Sequence, residues 1–538
     1  MTTAELKFST PTRPSACPPP KVALVRGPIV FAEGALNNEA TPAIGFAYIA
    51  AYIMRRHYSV TIVDAIGEAL NHVYPLDRHP GFFAQGLPVE DIIARIPADT
   101  EVIGFSGMFS GEWPVVRELI QATAATFPSA FLVAGGEHAT ALPEYVLRDC
   151  PVLDAVVKGE GEHTFFELLE SIRDGLDIGS VSGVCYIGQD GVFHDNGALP
   201  RIRAIDDIPW PYWPEGHLER FWAAGKSHGV LTARDMPMIA SRGCPYQCTF
   251  CSNPQMWTTR YELRRPSEVI NEIKAYIQKY NITSVQFYDL TAIIKRDWII
   301  TFCRSLIEQG ITIKWSLPAG TRSEVLDEET LTLVKESGCH YLVYAPESGS
   351  QATLKLIKKK ITLERITKSM LIAKRIGLVL RANLIIGFPF EPRKDIYKTL
   401  LYGLYLSWKG VDEVAVFLFS AYPGSELFAT LRGRNEIQID DSYFFDLTSL
   451  NGKYNTLRPH TYNRYCGPVE LGLYRFTFLV LNYVVGYMRH PSRIARTIRN
   501  LVTGEGAATV FEHRLRDALR RHRDAKPYDA EKEPARSA

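Results

Sequence analysis

The segment MPMIASRGCPYQCTFC spans residues 236–251 and joins a strand to a cysteine cluster. Its first half is a short apolar run, predicted as a strand over 238–241, and its second half is a loop carrying Cys244, Cys248 and Cys251. Five more strand candidates follow, at 284–288, 312–316, 341–345, 381–386 and 413–419. Helical patterns near 266–280, 296–309, 328–337, 362–377 and 393–408 separate them. Six strand-then-helix units in a row imply parallel strands joined by right-handed crossovers. Over 236–450 they fit a partial (βα)6 barrel, whose chemistry sits at the C-terminal strand ends. The cysteine loop stands at the first of those ends.

Upstream, over 21–200, the same alternation predicts an α/β Rossmann-like open parallel sheet. Its strands are expected at 22–26, 59–63, 101–105, 131–134 and 154–158, with helices near 44–56, 114–126 and 164–173. A hairpin at 184–187 and 192–194 turns at Gln189-Asp190-Gly191. The linker, 201–235, holds the run IDDIPWPYWP (205–214), whose prolines oppose regular structure. Residues 451–538 read as a mostly helical region ending in a charged, disordered tail from 516, and residues 1–20 as a loose Pro-rich arm without a signal peptide.

A net charge of +1 lacks the basic field of nucleic-acid binders, so no nucleic-acid partner is expected. Of nine cysteines, three crowd one loop and six stand alone, a pattern of a reducing cytoplasm with one metal cluster rather than a disulfide framework. No apolar run reaches the roughly twenty residues of a membrane span; the nearest, 476–488, lies between Arg475 and Arg489.

Thiolates are the ligands of iron–sulfur clusters, and four normally complete a cubane. Three in one short loop leave one iron open, as a reactive site requires. A structural zinc site would need a second ligand pair, and none appears downstream. The spacing C-x3-C-x2-C, with Phe250 before the last cysteine, resembles the signature of the radical S-adenosylmethionine superfamily. That resemblance implies a [4Fe–4S] cluster whose open iron binds S-adenosylmethionine and cleaves it to a 5′-deoxyadenosyl radical. It also implies a low-potential electron donor of the flavodoxin or ferredoxin type. Glu347-Ser348-Gly349 resembles the family's acidic cofactor contact; the alternative is a helix cap at Ser348. Gly387-Phe388-Pro389 matches a strand-end turn of the family, and Asp289 and Arg322, with Trp315, border strand ends. Tyr422-Pro423-Gly424-Ser425 resembles another family element.

The first sheet resembles the cobalamin-binding domain that precedes the barrel in one class of these enzymes. The resemblance rests on Asp64 and Gly67, on Ser106-Gly107, on Gly135-Gly136-Glu137-His138 and on Gly159-Glu160-Gly161-Glu162. All are glycine-bearing loops at strand C-termini, where open α/β sheets bind ligands. The family's corrinoid motif is Asp-x-His-x-x-Gly; here Ile66 takes the histidine position and Ala69 the glycine position. The resemblance therefore implies cobalamin bound base-off with no histidine ligand.

In 474–500, an aromatic and apolar stretch precedes Arg489, Arg493, Arg496 and Arg499, spaced to share one helix face. A peripheral contact with the inner membrane face is one reading, and a helix packed on the barrel the other. The leading functional expectation is cobalamin-dependent methylation of an unactivated carbon in a small-molecule or lipid-like substrate. Oxidative cyclisation or ring rearrangement on the same architecture is the alternative. A non-catalytic corrinoid- and cluster-binding protein is the alternative of another class. A tRNA methylthiotransferase would need a second cysteine cluster and an RNA-binding module, and neither is visible.

Overall fold

A computed structural model describes residues 17–35, 40–197, 201–226, 228, 232–291, 294–322, 325–453, 458–503, 509 and 512. The expected arm up to residue 16 and the tail from 516 lie outside the described residues. In the first sheet the strands Ala155–Val157, Phe131–Gly135, Val102–Ser106, Val22–Arg26 and Val60–Asp64 lie side by side and parallel. The hairpin Val184–Ile187 and Phe193–Asp195 extends one edge antiparallel. Period-two alternation explains the layering. Val22 and Leu24 pack against Tyr48, Tyr52 and Phe165 on one face. Ala23 and Val25 pack with Trp113, Leu119 and Ile120 on the other. A three-stranded antiparallel sheet, Ile29–Ala32, Phe82–Gln85 and Val73–Pro75, has no counterpart in the sequence expectations.

The second sheet holds six parallel strands in chain order: Asp235–Met238, Ser284–Phe287, Lys314–Thr321, Cys339–Glu347, Val379–Ile386 and Glu413–Leu418. The first begins three residues before the expected 238–241. Its ladder ends at Met238 because the next free amide, Ala240 N–H, donates to the Asp289 carboxylate at 3.0 Å. Ser241–Arg242 then leaves the sheet and pairs antiparallel with Glu262–Leu263, which carries the chain into the cysteine loop.

A buried ion-pair network joins the two halves. Arg242 donates to Glu162 at 2.5 Å and to Glu160 at 3.3 Å, and Arg201 donates to Glu160 at 2.8 Å. The linker is less irregular than its prolines imply: it contains the 3-10 turn Ile205–Asp207 and the helix His217–Ala223.

The C-terminal helix Pro468–Arg489 runs parallel to Arg393–Trp408. Arg393 bonds Glu470 at 2.6 Å, and Tyr397 meets Tyr474 at 2.7 Å. At 22 residues it is long and apolar enough to cross a membrane by length and composition, although only the shorter run 476–488 stands out in the sequence. Two of its polar residues, Arg475 and Asn482, point inward: Arg475 donates to the Leu450 carbonyl at 2.6 Å. The expected shared outward face does not include Arg493. Arg493 turns inward and donates to the Val411 carbonyl at 3.0 Å, near Asp412, while the Arg496 side chain lies outside the described residues.

Candidate active site at the cysteine loop

The loop is entered through Gly243, whose φ of +83° belongs to the left-handed region that favours glycine. A Cβ there would collide with the Arg260 carbonyl. Cys251 N–H closes a turn on the Cys248 carbonyl at 3.1 Å. Between these cysteines, Thr249 N–H donates to Ile357 at 3.1 Å and its carbonyl accepts from Leu427 N–H at 2.9 Å. Burial pushes all three thiols up, Cys251 to about 12, while Arg322 and Lys359 act in the opposite sense on Cys244 and Cys248. Among the described residues no three His, Cys, Asp or Glu side chains converge on one ion. A zinc ion requires such convergence, whereas in a cubane each thiolate binds its own iron. Three thiols on one short loop are a donor set that a cubane, with one iron left open, can use.

Glu347 ends the fourth barrel strand with φ +64°, a sparsely populated conformation for a non-glycine residue. Its carboxylate accepts from Lys359 at 2.9 Å, and both groups are buried. Burial works against the charged ammonium of Lys359, yet Glu347 and Cys248 outweigh it and lift its pKa. Ser348 and Gly349 do different work. The Ser348 hydroxyl meets Thr399 Oγ1 at 2.9 Å, and a Cβ on Gly349 would stand 2.5 Å from the Lys398 carbonyl oxygen. They dock the turn on the helix Arg393–Trp408. The cap of the helix Gln351–Leu356 is Ser350, not Ser348.

Gly387, at φ +86°, donates its N–H to Glu391 at 2.8 Å. Glu391 is fully buried, and burial pushes its carboxyl up to about 7. The Pro389 carbonyl accepts from Arg464 N–H at 3.2 Å, and Asn463 donates to the Phe388 carbonyl at 2.6 Å. Arg322 lies over the Tyr246 ring at 3.3 Å, inside the cysteine loop, and donates to the Lys360 carbonyl at 2.8 Å. Asp289 spends its carboxylate on Ala240 N–H and the Ser241 hydroxyl, and burial raises it to about 6. It therefore holds the loop entrance. Trp315 is core, donating to the Ser337 carbonyl at 3.2 Å. Of the element 422–425, Ser425 caps the helix Glu426–Gly433, and Gly424, at φ +85°, packs against Ala141 and Gln255.

The strand ends of the first sheet face this loop. The Glu137 carboxylate accepts from the Ser252 hydroxyl, next to Cys251, and burial raises its pKa. Glu160 reaches Arg242, two residues before Cys244. Gly136, at φ +117°, and Gly107 cross too closely for a Cβ, Gly107 N–H bonds the Gly135 carbonyl at 2.7 Å beside Ser106, and Gly161 packs on Ile49. Beside the junction, Gly159 borders a cleft of about 210 Å3 with Thr140, Glu160, Gln255 and Met256.

Two expected residue sets sit elsewhere. Asp64 and Gly67 are buried under the helix His217–Ala223: a Cβ on Gly67 would stand 2.8 Å from the His217 ring, and Asp64 lies 3.5 Å from His217 Nε2. His138 is 2% exposed, between Trp113 and Phe444, and burial holds it down at about 3. It faces the core rather than the strand-end surface, because it follows Glu137 on a short helix whose first residue takes the outer side.

A six-strand parallel sheet with three thiols at its first strand end, behind an open parallel sheet, is the architecture of radical S-adenosylmethionine enzymes with a cobalamin-binding domain. The Radical SAM superfamily model matches residues 238–402 and the B12 binding domain model residues 38–169. The chain belongs to this family. It is 30% identical over 414 residues to the cytidylyl-2-hydroxyethylphosphonate methyltransferase of Streptomyces wedmorensis, covering 72% of this chain and 77% of that one. It is 28% identical over 439 residues to an uncharacterised methyltransferase of Pyrococcus horikoshii, covering 82% and 87%. The fold is shared with the cobalamin-dependent S-adenosylmethionine radical enzyme OxsB at TM-score 0.66 and 16% identity, covering 94% of this chain and 71% of that one.

Sequence reasoning missed Lys359, Arg242, Ser252 and Glu391. For Glu391 a local signal exists, a carboxylate four residues after the glycine of a strand-end turn. The other three are recognisable only once distant segments meet.

Proposed function

We propose that this enzyme carries a [4Fe–4S] cluster on Cys244, Cys248 and Cys251 and methylates an unactivated carbon of a small-molecule or lipid-like substrate. The observation that carries the reading is the meeting of the two sets of strand ends, where Glu137 bonds Ser252 and Glu160 bonds Arg242 on either side of the cysteines. When bound, the cluster supplies one electron for cleavage of S-adenosylmethionine, and cobalamin supplies the methyl group. The chain's own groups bind and orient. Gly243, Asp289 and Arg322 fix the path of the loop. Glu347, steadied by Lys359, is the acidic group for the cofactor's ammonium. Glu391 shapes the turn at Gly387 and Pro389, against which the adenosine part rests. Gly135 and Gly159 leave bare backbone for the corrinoid at the strand ends, with Ser106 beside them, while Gly136 lets the chain cross Gly107.

Ile66 offers no imidazole at the position of the family's ligating histidine, and His217, which packs beside that loop, lies against Asp64; both support cobalamin bound base-off without a histidine ligand. A reducing cytoplasm suits nine free cysteines, and a flavodoxin or ferredoxin would deliver the electron. The test is cofactor content after oxygen-free reconstitution with iron, sulfide and hydroxocobalamin. About four irons and one cobalt per chain are expected, with iron alone lost from the Cys244/Cys248/Cys251→Ala variant. Iron without cobalt would remove methylation. A nitrogen hyperfine splitting on bound cob(II)alamin would overturn the base-off assignment. During turnover, 5′-deoxyadenosine without S-adenosylhomocysteine would point to cyclisation or rearrangement instead.

A further inference from the structure

The helix Pro468–Arg489 is inside out. Buried against the barrel are Arg475 and Asn482, at 1% and 5% exposure. On its outer side Leu473, Phe476, Val480, Leu481, Val484 and Met488 are 42–76% exposed. Their spacing puts them on one face, and that face carries no charged side chain from residue 473 to 488, about 22 Å of helix. The parallel neighbour Arg393–Trp408 continues the surface with Tyr397, Leu401, Tyr405 and Trp408, all 43–66% exposed. Isolated exposed apolar residues need no explanation, but ten on two adjacent helices form a patch that does.

The border of this patch is cationic. Lys394, in the first turn of Arg393–Trp408, and Lys409, just past its end, are exposed, and the Arg489 guanidinium lies 5.4 Å over the Trp408 ring. The nearby carboxylates are already matched, Glu470 with Arg393 and Asp395 with Lys398. Apolar residues in the middle, Tyr and Trp at the margin and lysines outside them fit the headgroup region of a bilayer, where amphipathic aromatics settle and long cationic chains reach the phosphates. Protein interfaces, by contrast, are depleted in lysine.

We propose that the joint outer face of Arg393–Trp408 and Pro468–Arg489 docks the enzyme on an anionic lipid surface. The helices lie flat on it rather than crossing it, since the inner side of Pro468–Arg489 is committed to the barrel through Arg475 and Asn482, the latter bonded to Ser407. One end of the face lies at the barrel mouth. Arg393–Trp408 starts just after the strand Val379–Ile386, and Leu471 stands 3.1 Å from where a Cβ on Gly387 would be.

The test is co-sedimentation of the full chain at low salt with vesicles of phosphatidylcholine, with and without phosphatidylglycerol. The expected result is pelleting with the phosphatidylglycerol vesicles that salt reverses. The triple variant Leu473→Glu/Val480→Glu/Val484→Glu should lower the partition coefficient about tenfold or more, and Lys394→Glu/Lys409→Glu should lower it on anionic vesicles alone. Circular dichroism and iron content of the variants should match those of the parent, because all five positions are exposed. A parent chain that stays in the supernatant with both vesicle types overturns the proposal. So do variants that pellet like the parent. A dimer in solution that the triple variant converts to monomer, without vesicle binding by the parent, would assign the face to a second copy instead.

Discussion

Gly243→Ala should disable the cysteine loop, and its cost can be worked from two separate effects. At φ +83° an L-residue carries about 1–2 kcal/mol of left-handed strain. The new methyl also meets a backbone carbonyl, Arg260, that cannot swing aside as a side chain could, and overpacking of this kind costs about 1–3 kcal/mol. Gly377 isolates the first effect: its φ is +89°, yet nothing lies within 4 Å of its Cβ position. Gly377→Ala should therefore cost about 1–2 kcal/mol and Gly243→Ala about 2–5 kcal/mol. In a unit of about 200 residues each kcal/mol moves Tm by about 2–4 °C, so calorimetry of the apo proteins should separate the pair by several degrees. Iron content after reconstitution should fall in Gly243→Ala and stay at the parent level in Gly377→Ala. Equal Tm values for the two variants, or full iron loading of Gly243→Ala, would refute the reasoning.

Glu391→Gln should change the pH dependence of stability. Burial raises the carboxyl from 4.5 to about 7, so the folded state holds this proton more tightly than the unfolded one. The parent therefore loses stability as pH rises from 4.5 through about 7, by about 3 kcal/mol in all. The Gln variant lacks that loss, and urea melts at pH 5 and pH 8.5 should show it gaining on the parent by about that amount; a pH-independent difference would count against the buried charge. Arg242→Met takes from buried Glu162 its guanidinium partner while Glu160 keeps Arg201, and should cost about 3–5 kcal/mol, with proteolysis at the linker as readout. Lys359→Met should cost a similar amount by stranding Glu347, whereas Lys359→Met/Glu347→Gln should recover much of the stability but not turnover of S-adenosylmethionine, a double-mutant test of the pair.

Both sheets were legible because most of their strands are short, largely buried apolar runs alternating with helical patterns, a signal that is local. The three short strands around 29–32, 73–75 and 82–85 were not, since they pair only with one another across long loops. The cysteine triplet stood out for a similar reason: its spacing is written within one loop. Asp289 and Arg322 could be singled out at strand ends, but their work on backbone and ring emerges only from contacts with Ala240 and Tyr246. Arg493 shows the limit of helical periodicity, which says that residues share a face but not which face turns outward. The loop at Asp64 was misjudged because the helix that covers it, His217–Ala223, comes after a proline-rich stretch that gives no hint of folding back.

Thr249 is pinned by Ile357 on one side and Leu427 on the other, segments that follow the fourth and sixth barrel strands. During synthesis the thiols of Cys244, Cys248 and Cys251 leave the ribosome long before either partner does. Domains tend to fold from the N-terminus as they emerge, yet this loop cannot take its final shape until residue 427 is out. The nascent chain therefore spends that interval with three unligated thiols exposed to oxidants. Under the proposed cluster assignment, iron delivery belongs at the end of translation, as a step that locks a finished barrel rather than one that nucleates it.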